Sequence, residues 1–446
     1  MHPGLPPFEF WKTPPPSTLR IFIFEVINSY EFLKGDEVLK FRQIGPIVYR
    51  ENIVHENITF HPENDTMSFT AVRTVEFLEE ENEPGILNRT VIVPNLAVLG
   101  MASKLHDSSF IMKAGYNMML RQSKDSVFQN TTVYNYLWNM DGSLMKLGAT
   151  LVPFMVPIDN SGVLHQMYHS FSDRQNVKIG TAHGHAHFFE MNLYNNRPTV
   201  PGFRPERGDC YASIENSTEG AFYPQRLTEK SVLNYFRKTI CRPGYLHYTE
   251  DVTVDEMNGK KYVLPGSSYD RTHPLEEDCY RGDDGFEYPD GLSDASKCYY
   301  DFPIVVSNPH FLNRSGEWMR KIEGMQPNKE DHESFVILEP LLGVPLKECA
   351  RSQSNIFIHK LSGFSNPDLQ KFSDMVVPMF WGDVCIHQLP ALIRAFMILV
   401  VVVVPILQPI GCFLAYGFGL LMILYGMKQL HTSNPYMSIA IGQQWR

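Results

Sequence analysis

The chain has 446 residues, a hydrophobic fraction of 43% and a formal net charge of −10. That length fits one large domain or two to three ordinary ones, and an acidic balance without any basic run excludes a general nucleic-acid binder. A mean hydropathy of −0.20 excludes a multispanning transporter, while 31 prolines and 30 glycines predict many turns and short strands.

In chain order, Leu19, Ile21 and Ile23 alternate with Arg20, Phe22 and Phe24, which predicts a strand buried on both faces. Met67, Phe69 and Ala71 continue the strand pattern after a turn-rich loop. From Met101 to Lys124 the period changes. Met101, Leu105, Met112, Tyr116 and Met119 recur at helical spacing, predicting an amphipathic helix, with a second near Thr132 to Met140. Strand character returns past Pro153. Thr228 is a good N-cap for a short helix that would bury Val232, Phe236 and Ile240 and carry Arg237 and Lys238 near its C-terminal end. Asn258-Gly259 predicts the turn of a hairpin between Val252–Val254 and Tyr262-Val263. No linker divides this body, so one α+β domain with a helical insertion is expected.

Ala395 to Met427 is the only long apolar block and carries no charge. A helix needs about 20 residues to cross ~30 Å of hydrocarbon. Pro405, Gln408 and Pro409 interrupt the block, so one tilted or kinked span within Ile398 to Tyr425 fits better than two. Six cysteines precede it, Cys210, Cys241, Cys279, Cys298, Cys349 and Cys385, and Cys412 lies inside it as an apolar packing residue. An even set suits three disulfides, with the connectivity left open, and lacks the C-x2-C spacing of a zinc site. Glycan acceptor motifs at Asn57, Asn64, Asn88, Asn130, Asn216 and Asn313 also all precede the block. Both features place the body in an oxidising, glycosylating compartment. The first twenty residues hold no signal-peptide core, so delivery of the body is expected to need a segment upstream of Met1.

Nucleophile-elbow, zincin, P-loop and dinucleotide-binding motifs are absent. His183, His185 and His187 alternate, which on a strand puts three imidazoles on one face. Same-face neighbours are about 7 Å apart, wide for one ion, so a solvated or hydrogen-bonded strand face is expected and no metal. Asp283-Asp284 and Glu276-Glu277-Asp278 are acidic turns without EF-hand spacing. Lys113, Arg121 and Lys124 form either a solvated helix face or a basic patch that meets anionic ligands. Tyr436-Met437-Ser438-Ile439, past the apolar block, matches the tyrosine-x-x-bulky pattern of endocytic and lysosomal sorting signals, an address read by a receptor.

Several blocks, in this order, resemble the class B scavenger receptor family. They are Trp11, Ile21–Asn28, Gly35, Gly45–Glu51, Asn95–Val98, Thr218–Pro224, Ser307–Leu312, Gly324 with Pro327-Asn328 and His332, Glu339-Pro340 with Gly343, and Gln353 with Asn355. The resemblance implies an irregular antiparallel β-barrel ectodomain with an apical helical bundle and an internal hydrophobic tunnel. Its limits here would be residues 1–393, with the helical apex at about 101–147, a span at 394–427 and a cytoplasmic tail at 428–446. It implies a non-enzymatic receptor without cofactor, at the plasma membrane or the endosome-lysosome membrane. Such a receptor binds and transfers lipids, fatty acids, sterols or lipoproteins, or as a trafficking receptor binds a luminal protein through its apex. Lys124 falls in a lysine-bearing apical segment, which favours the basic patch. The resemblance further implies Cys210–Cys279 and Cys241–Cys298 bridges. Cys349 and Cys385 depart from the family pattern, and they would face each other if the strands around Gln353 and Trp381 pair antiparallel.

Overall fold

A computed structural model describes residues 2–140, 142–153, 156–158, 160–169, 173–270, 279–280 and 286–433. The chain divides into two units. One comprises Met1–Val252 and Asn258–Leu389; the other comprises Thr253–Met257 and the chain from Pro390.

The strands are β1 Ser17–Val26, β2 Leu39–His61, β3 Thr66–Phe77, β4 Thr90–Pro94, β5 Phe128–Thr132, β6 Arg174–Lys178, β7 Met191–Tyr194 and β8 Val232–Arg237. They continue with β9 Arg242–Val254, β10 Met257–Val263, β11 Ser293–Asp294, β12 Ile304–Ser307, β13 Ile322–Glu323, β14 Phe335–Glu339, β15 Val344–Ile358 and β16 Met375–Ile386. β4 and β5 pair apart from the rest, and the others form a 14-stranded sheet whose main path runs β7-β6-β3-β2-β1-β16-β15-β14-β10-β9-β8. Pairing is antiparallel throughout the long ladders, and the short β13 lies parallel to β2.

β1 sits mid-sheet between β2 and β16, which explains its continuous apolar run. Its two faces feed two cores. Leu19, Ile21 and Ile23 pack with Val91, Val93, Leu137 and Leu164, while Phe22, Phe24 and Val26 join the larger cluster with Phe41, Met67 and Phe69. Phe22 stacks on Trp381 of β16 with ring centroids 4.0 Å apart.

The expected barrel is not closed, because the strand path ends at β7 on one side and β8 on the other. The Asn216–Thr218 segment links these edges. Met191 N–H donates to Ser217 O (2.7 Å), and Thr218 N–H donates to Asn234 O (2.8 Å) while Thr218 O accepts from Phe236 N–H (2.9 Å).

The helical segment holds α1 to α5 in this numbering: α1 Leu96–Lys104, α2 Phe110–Ser123, α3 Val133–Trp138, α4 Ser143–Leu151 and α5 Val163–His169. The predicted helix over 101–124 is therefore two. Leu105-His106-Asp107 form a turn, and Ser109 restarts the helix by capping Met112 N–H. The helix expected near 132–140 is α3, capped by the Thr132 hydroxyl on Asn135 N–H at 3.2 Å. Past Pro153 the chain first makes α5, and strand structure returns only at β6.

Two further expectations fail. No helix starts at Thr228; the segment is β8, with Val232 53% exposed and Leu233 and Phe236 buried. Pairing with β9 overrides the helical spacing. The β9–β10 turn lies at Asp255-Glu256, both at positive φ (48° and 69°), and not at Asn258-Gly259, which belong to β10. Gly259 serves packing instead: a Cβ there would lie 2.7 Å from the Ile337 side chain.

In the second unit, Ala391–Leu430 is a 40-residue helix, the one among the described residues long and apolar enough to cross a membrane. At about 60 Å it exceeds the hydrocarbon thickness. A π-helical turn at Leu399–Val403 ends two residues before Pro405, and the helix continues through Pro409. Proline withholds an N–H from the ladder, and a π turn is a common way to absorb that irregularity. Cys412 is exposed on this helix rather than packed.

Candidate functional site

Disulfides join Cys210 to Cys279, Cys241 to Cys298 and Cys349 to Cys385. The last pair are direct register partners between β15 and β16. The Asn residues of all six glycan acceptor motifs are exposed.

The three histidines are not on a strand. His183 and His185–His187 lie in two short 3-10 turns separated by Gly184 at φ 75°. Their rings go to different partners: His183 Nε2 to Asn64 O, His185 Nδ1 to Gln225 Oε1, and His187 Nδ1 to Glu190 Oε2. No group of three metal-ligating side chains occurs among the described residues. The acidic turns at 276–278 and 283–284, and the sorting motif Tyr436 to Ile439, lie outside the described residues.

Lys113, Arg121 and Lys124 belong to α2 and its C-cap. Lys113 donates to Ser362 O at 3.0 Å and lies 5.6 Å from the Phe364 ring centre. Arg121 and Lys124 are exposed at the helix C-terminus, where their charge complements the helix dipole. The same helix exposes Phe110 (80%), Ile111 (79%) and Met118 (66%).

The sequence reading named no residue as part of the internal cavity, which lies inside the first unit. A cavity of about 1440 Å3 of non-protein space, its mouth included, is lined by side chains of β1, β8, β14, β15 and β16. Small residues open it. Ala350, Ser352 and Ser354 lie on β15 at period two, and Gly382 lies beside them on β16. Close packing elsewhere makes such a void a product of side-chain size. Its walls are largely apolar, with Leu19, Ile21, Met145, Leu246 and Phe302, tyrosines at 223, 235, 269, 299 and 300, and Gln166 and Arg351 among the polar lining.

One end of the cavity is charged. Arg237 lines it and also a smaller neighbouring pocket with Glu51, Arg73, Asp173, Glu219 and Lys238. Glu51 is 1% exposed, accepts from Tyr168 Oη (2.7 Å) and Ser17 Oγ (3.0 Å), and lies 3.5 Å from Arg237. Burial opposes its charge, yet Arg237, Arg73 and these hydroxyls hold its pKa below the usual carboxylate value. Arg73 pairs with both Glu219 and Asp173. Burial pushes Lys238 down to about 7, against the pull of Asp173.

Glu348 of β15 faces the cavity without a hydrogen-bond or ion-pair partner among the described residues. It keeps partial accessibility from the cavity side. Burial pushes its carboxyl up to about 7, with Arg237 opposing and Glu51 reinforcing the rise. The sequence signal for this site is the period-two run Glu348, Ala350, Ser352, Ser354, which places small and polar residues on the inward face of a central strand.

Comparison with known proteins gives the context of this arrangement. The family model described as the CD36 family matches residues 1–430. Mouse scavenger receptor class B member 1 (Mus musculus) is 26% identical over 380 residues, covering 84% of this chain and 72% of the relative. Human lysosome membrane protein 2 (Homo sapiens) is 27% identical over 388 residues, covering 86% and 78% respectively. The Chinese hamster (Cricetulus griseus) scavenger receptor class B member 1 is 27% identical over 383 residues, covering 84% and 72%. With one family model spanning nearly its whole length, this chain belongs to the CD36 family.

Proposed function

We propose that this protein is a membrane receptor that takes up lipid into the cavity of its first unit and passes it on, rather than an enzyme. The cavity between β1, β8 and the β14–β16 strands carries the reading, because an apolar enclosure relieves an acyl chain of water contact at about 0.8 kcal/mol per buried CH2. In this reading residues 1–393 are luminal or extracellular, 394–427 span the membrane and 428–446 form the cytoplasmic tail. Residence is at the plasma membrane or the endosome-lysosome membrane, with Tyr436 and Ile439 as the sorting address. Arg121 and Lys124 capture anionic particles, and the cavity accepts fatty acids, sterols or other lipids released from them.

The test is uptake of labelled lipid by cells that display the protein at matched surface levels. Ser352→Trp, which fills the cavity, should abolish transfer while leaving particle binding intact. Charge reversal at Arg121 and Lys124 should weaken particle binding. Normal transfer by the filled variant would remove the cavity from the mechanism.

A second reading has its own observation. The exposed Phe110, Ile111 and Met118 on the helix that carries Arg121 suit a luminal protein partner, as a trafficking receptor requires. Recovery of a luminal protein with the wild-type chain and not with a Phe110→Ser, Ile111→Ser variant would favour it.

A further inference from the structure

Residues Asn216–Glu219 form a strap across the seam between β7 and β8. It is held to β7 through Met191 and to β8 through Asn234 and Phe236, all by backbone hydrogen bonds. Positive φ angles bound it, 63° at Asn216 and 102° at Gly220. At its C-terminal end Glu219 lines the smaller, charged pocket. One Glu219 oxygen pairs with Arg73 of β3, and the other accepts from Gln175 Nε2 of β6. That pocket holds about 570 Å3 of non-protein space, its mouth included, and touches both sides of the seam through Met191 and Phe236. It shares Met167, Arg237, Thr239 and Tyr299 with the main cavity, so the two adjoin.

We propose that Arg73 and Gln175 form a carboxylate-binding site that Glu219 occupies while the strap is closed, and that the head of a fatty acid displaces Glu219 from it. The proposal rests on the lipid reading of the cavity and assigns the site for one class of ligand. A guanidinium and an amide N–H that each hold one carboxylate oxygen suit a side chain or a lipid head equally. The exchange also keeps the charge balance. Arg73, Arg237 and Lys238 share the pocket with Glu51, Asp173 and Glu219, and the ligand replaces one anion with another.

Glu219 is the anion placed to leave. Glu51 is 1% exposed, and Asp173 is tied to Arg73, Lys238 and Tyr194. Glu219 instead rides on a strap whose other end, Asn216, is already exposed, so release carries it towards water and strands no buried charge. The closed seam also holds unmet polar groups. Gln175 Oε1, Thr218 Oγ1 and Asn234 Oδ1 are buried without hydrogen-bond partners among the described residues, and opening hydrates them. The acyl chain then runs past Met167 and Tyr299 into the main cavity, where burial of its methylenes offsets the hydrogen bonds the strap gives up. A neutral head cannot replace the Glu219 charge on Arg73 and leaves the strap shut.

The experiment follows backbone hydrogen exchange of the full chain in detergent at pH 8, with octadecanoate, with octadecanol and without ligand, beside displacement of a fluorescent acyl reporter. A ligand ordinarily slows exchange where it binds. Octadecanoate should instead speed exchange of the Met191, Thr218 and Phe236 amides by about tenfold, the value of one hydrogen bond to a charged group, and octadecanol should leave them unchanged. Glu219→Gln removes the internal rival, so these amides should exchange fast without ligand and octadecanoate should bind about tenfold more tightly. Seam exchange that octadecanoate slows or leaves unchanged, or that octadecanol speeds equally, overturns the displacement and leaves the lipid cavity standing. Wild-type octadecanoate affinity in a folded Glu219→Gln chain does the same, and the wild-type comparison decides alone if that variant does not fold. Failure of both ligands to displace the reporter overturns the lipid reading with it.

Discussion

His310 and His332 stack with ring centroids 4.4 Å apart, and each presents Nδ1 to a backbone N–H of the same loop. His310 accepts from Gln326 N–H at 3.0 Å and His332 from Asn328 N–H at 2.9 Å. An accepting Nδ1 carries no proton, so the pair holds the 326–328 loop only while both imidazoles are neutral. Nε2–H of His310 meanwhile donates to Gln43 Oε1 at 2.7 Å, the oxygen that Trp381 Nε1 also uses at 2.7 Å.

Acid should therefore weaken the fold. Burial, with His332 adding, lowers His310 to about 4, and burial also lowers His332 despite Asp331, with Arg351 reinforcing. The unfolded chain binds these protons from about pH 6.5, so the stabilisation is complete above that pH and is lost as pH falls towards 4. His310 alone contributes on the order of 2–3 kcal/mol over that window. Thermal midpoints of the purified chain between pH 7.5 and 4.5 should drop steeply. The His310→Gln, His332→Gln variant should drop less, and not flatten, because burial also lowers His55 and His359 to about 4. An unchanged slope would exclude the pair as a source.

Asp383 is fully buried on β16, paired with Arg20 of β1 through two hydrogen bonds and 3.7 Å from Arg351 of β15. Asp383→Asn leaves two guanidinium groups without their anion, which should cost about 3 kcal/mol in denaturant unfolding. A loss under 1 kcal/mol would mean that water or neighbouring carbonyls replace the carboxylate.

Cys349 and Cys385 close a loop with a sequence separation of 36. Replacing both by alanine should lower stability by about 3–4 kcal/mol through added freedom of the unfolded chain. The β15–β16 ladder that flanks them should persist, so ligand displacement at the cavity is expected to survive at low temperature.

Glu51→Gln removes the charge that faces Arg237 and leaves one acceptor oxygen where Ser17 and Tyr168 each donate to a separate carboxylate oxygen. We expect a loss of about 2–4 kcal/mol. Glu348 should titrate lower, because Glu51 is one of the charges raising it; NMR or infrared titration of the carboxyl would read this.

Much of the sheet centre was legible, because β1 is buried on both faces and its composition says so. Errors arose where two rules compete. Val232, Phe236 and Ile240 recur at helical spacing, yet β-branched and aromatic residues beside β9 make a strand. Asn258-Gly259 has ideal turn chemistry, but sheet pairing with β14 holds the residues directly after it in a strand, and the turn falls on Asp255-Glu256. The charged end of the cavity left no local signal. Glu51, Arg73, Asp173, Glu219 and Arg237 come from five separate segments, and only the folded sheet gathers them.

The segment Asn216–Thr218, hydrogen-bonded to β7 on one side and β8 on the other, has a meaning for the protein in a crowded compartment. Open sheet edges are templates on which other chains add strands. Here each edge is already engaged by the same three residues, which leaves little room at that seam for a foreign strand. Asn216, an exposed glycan acceptor, sits on the seam itself. A sugar chain attached there would stand over this join between β7 and β8, shielding it from neighbours and from proteases.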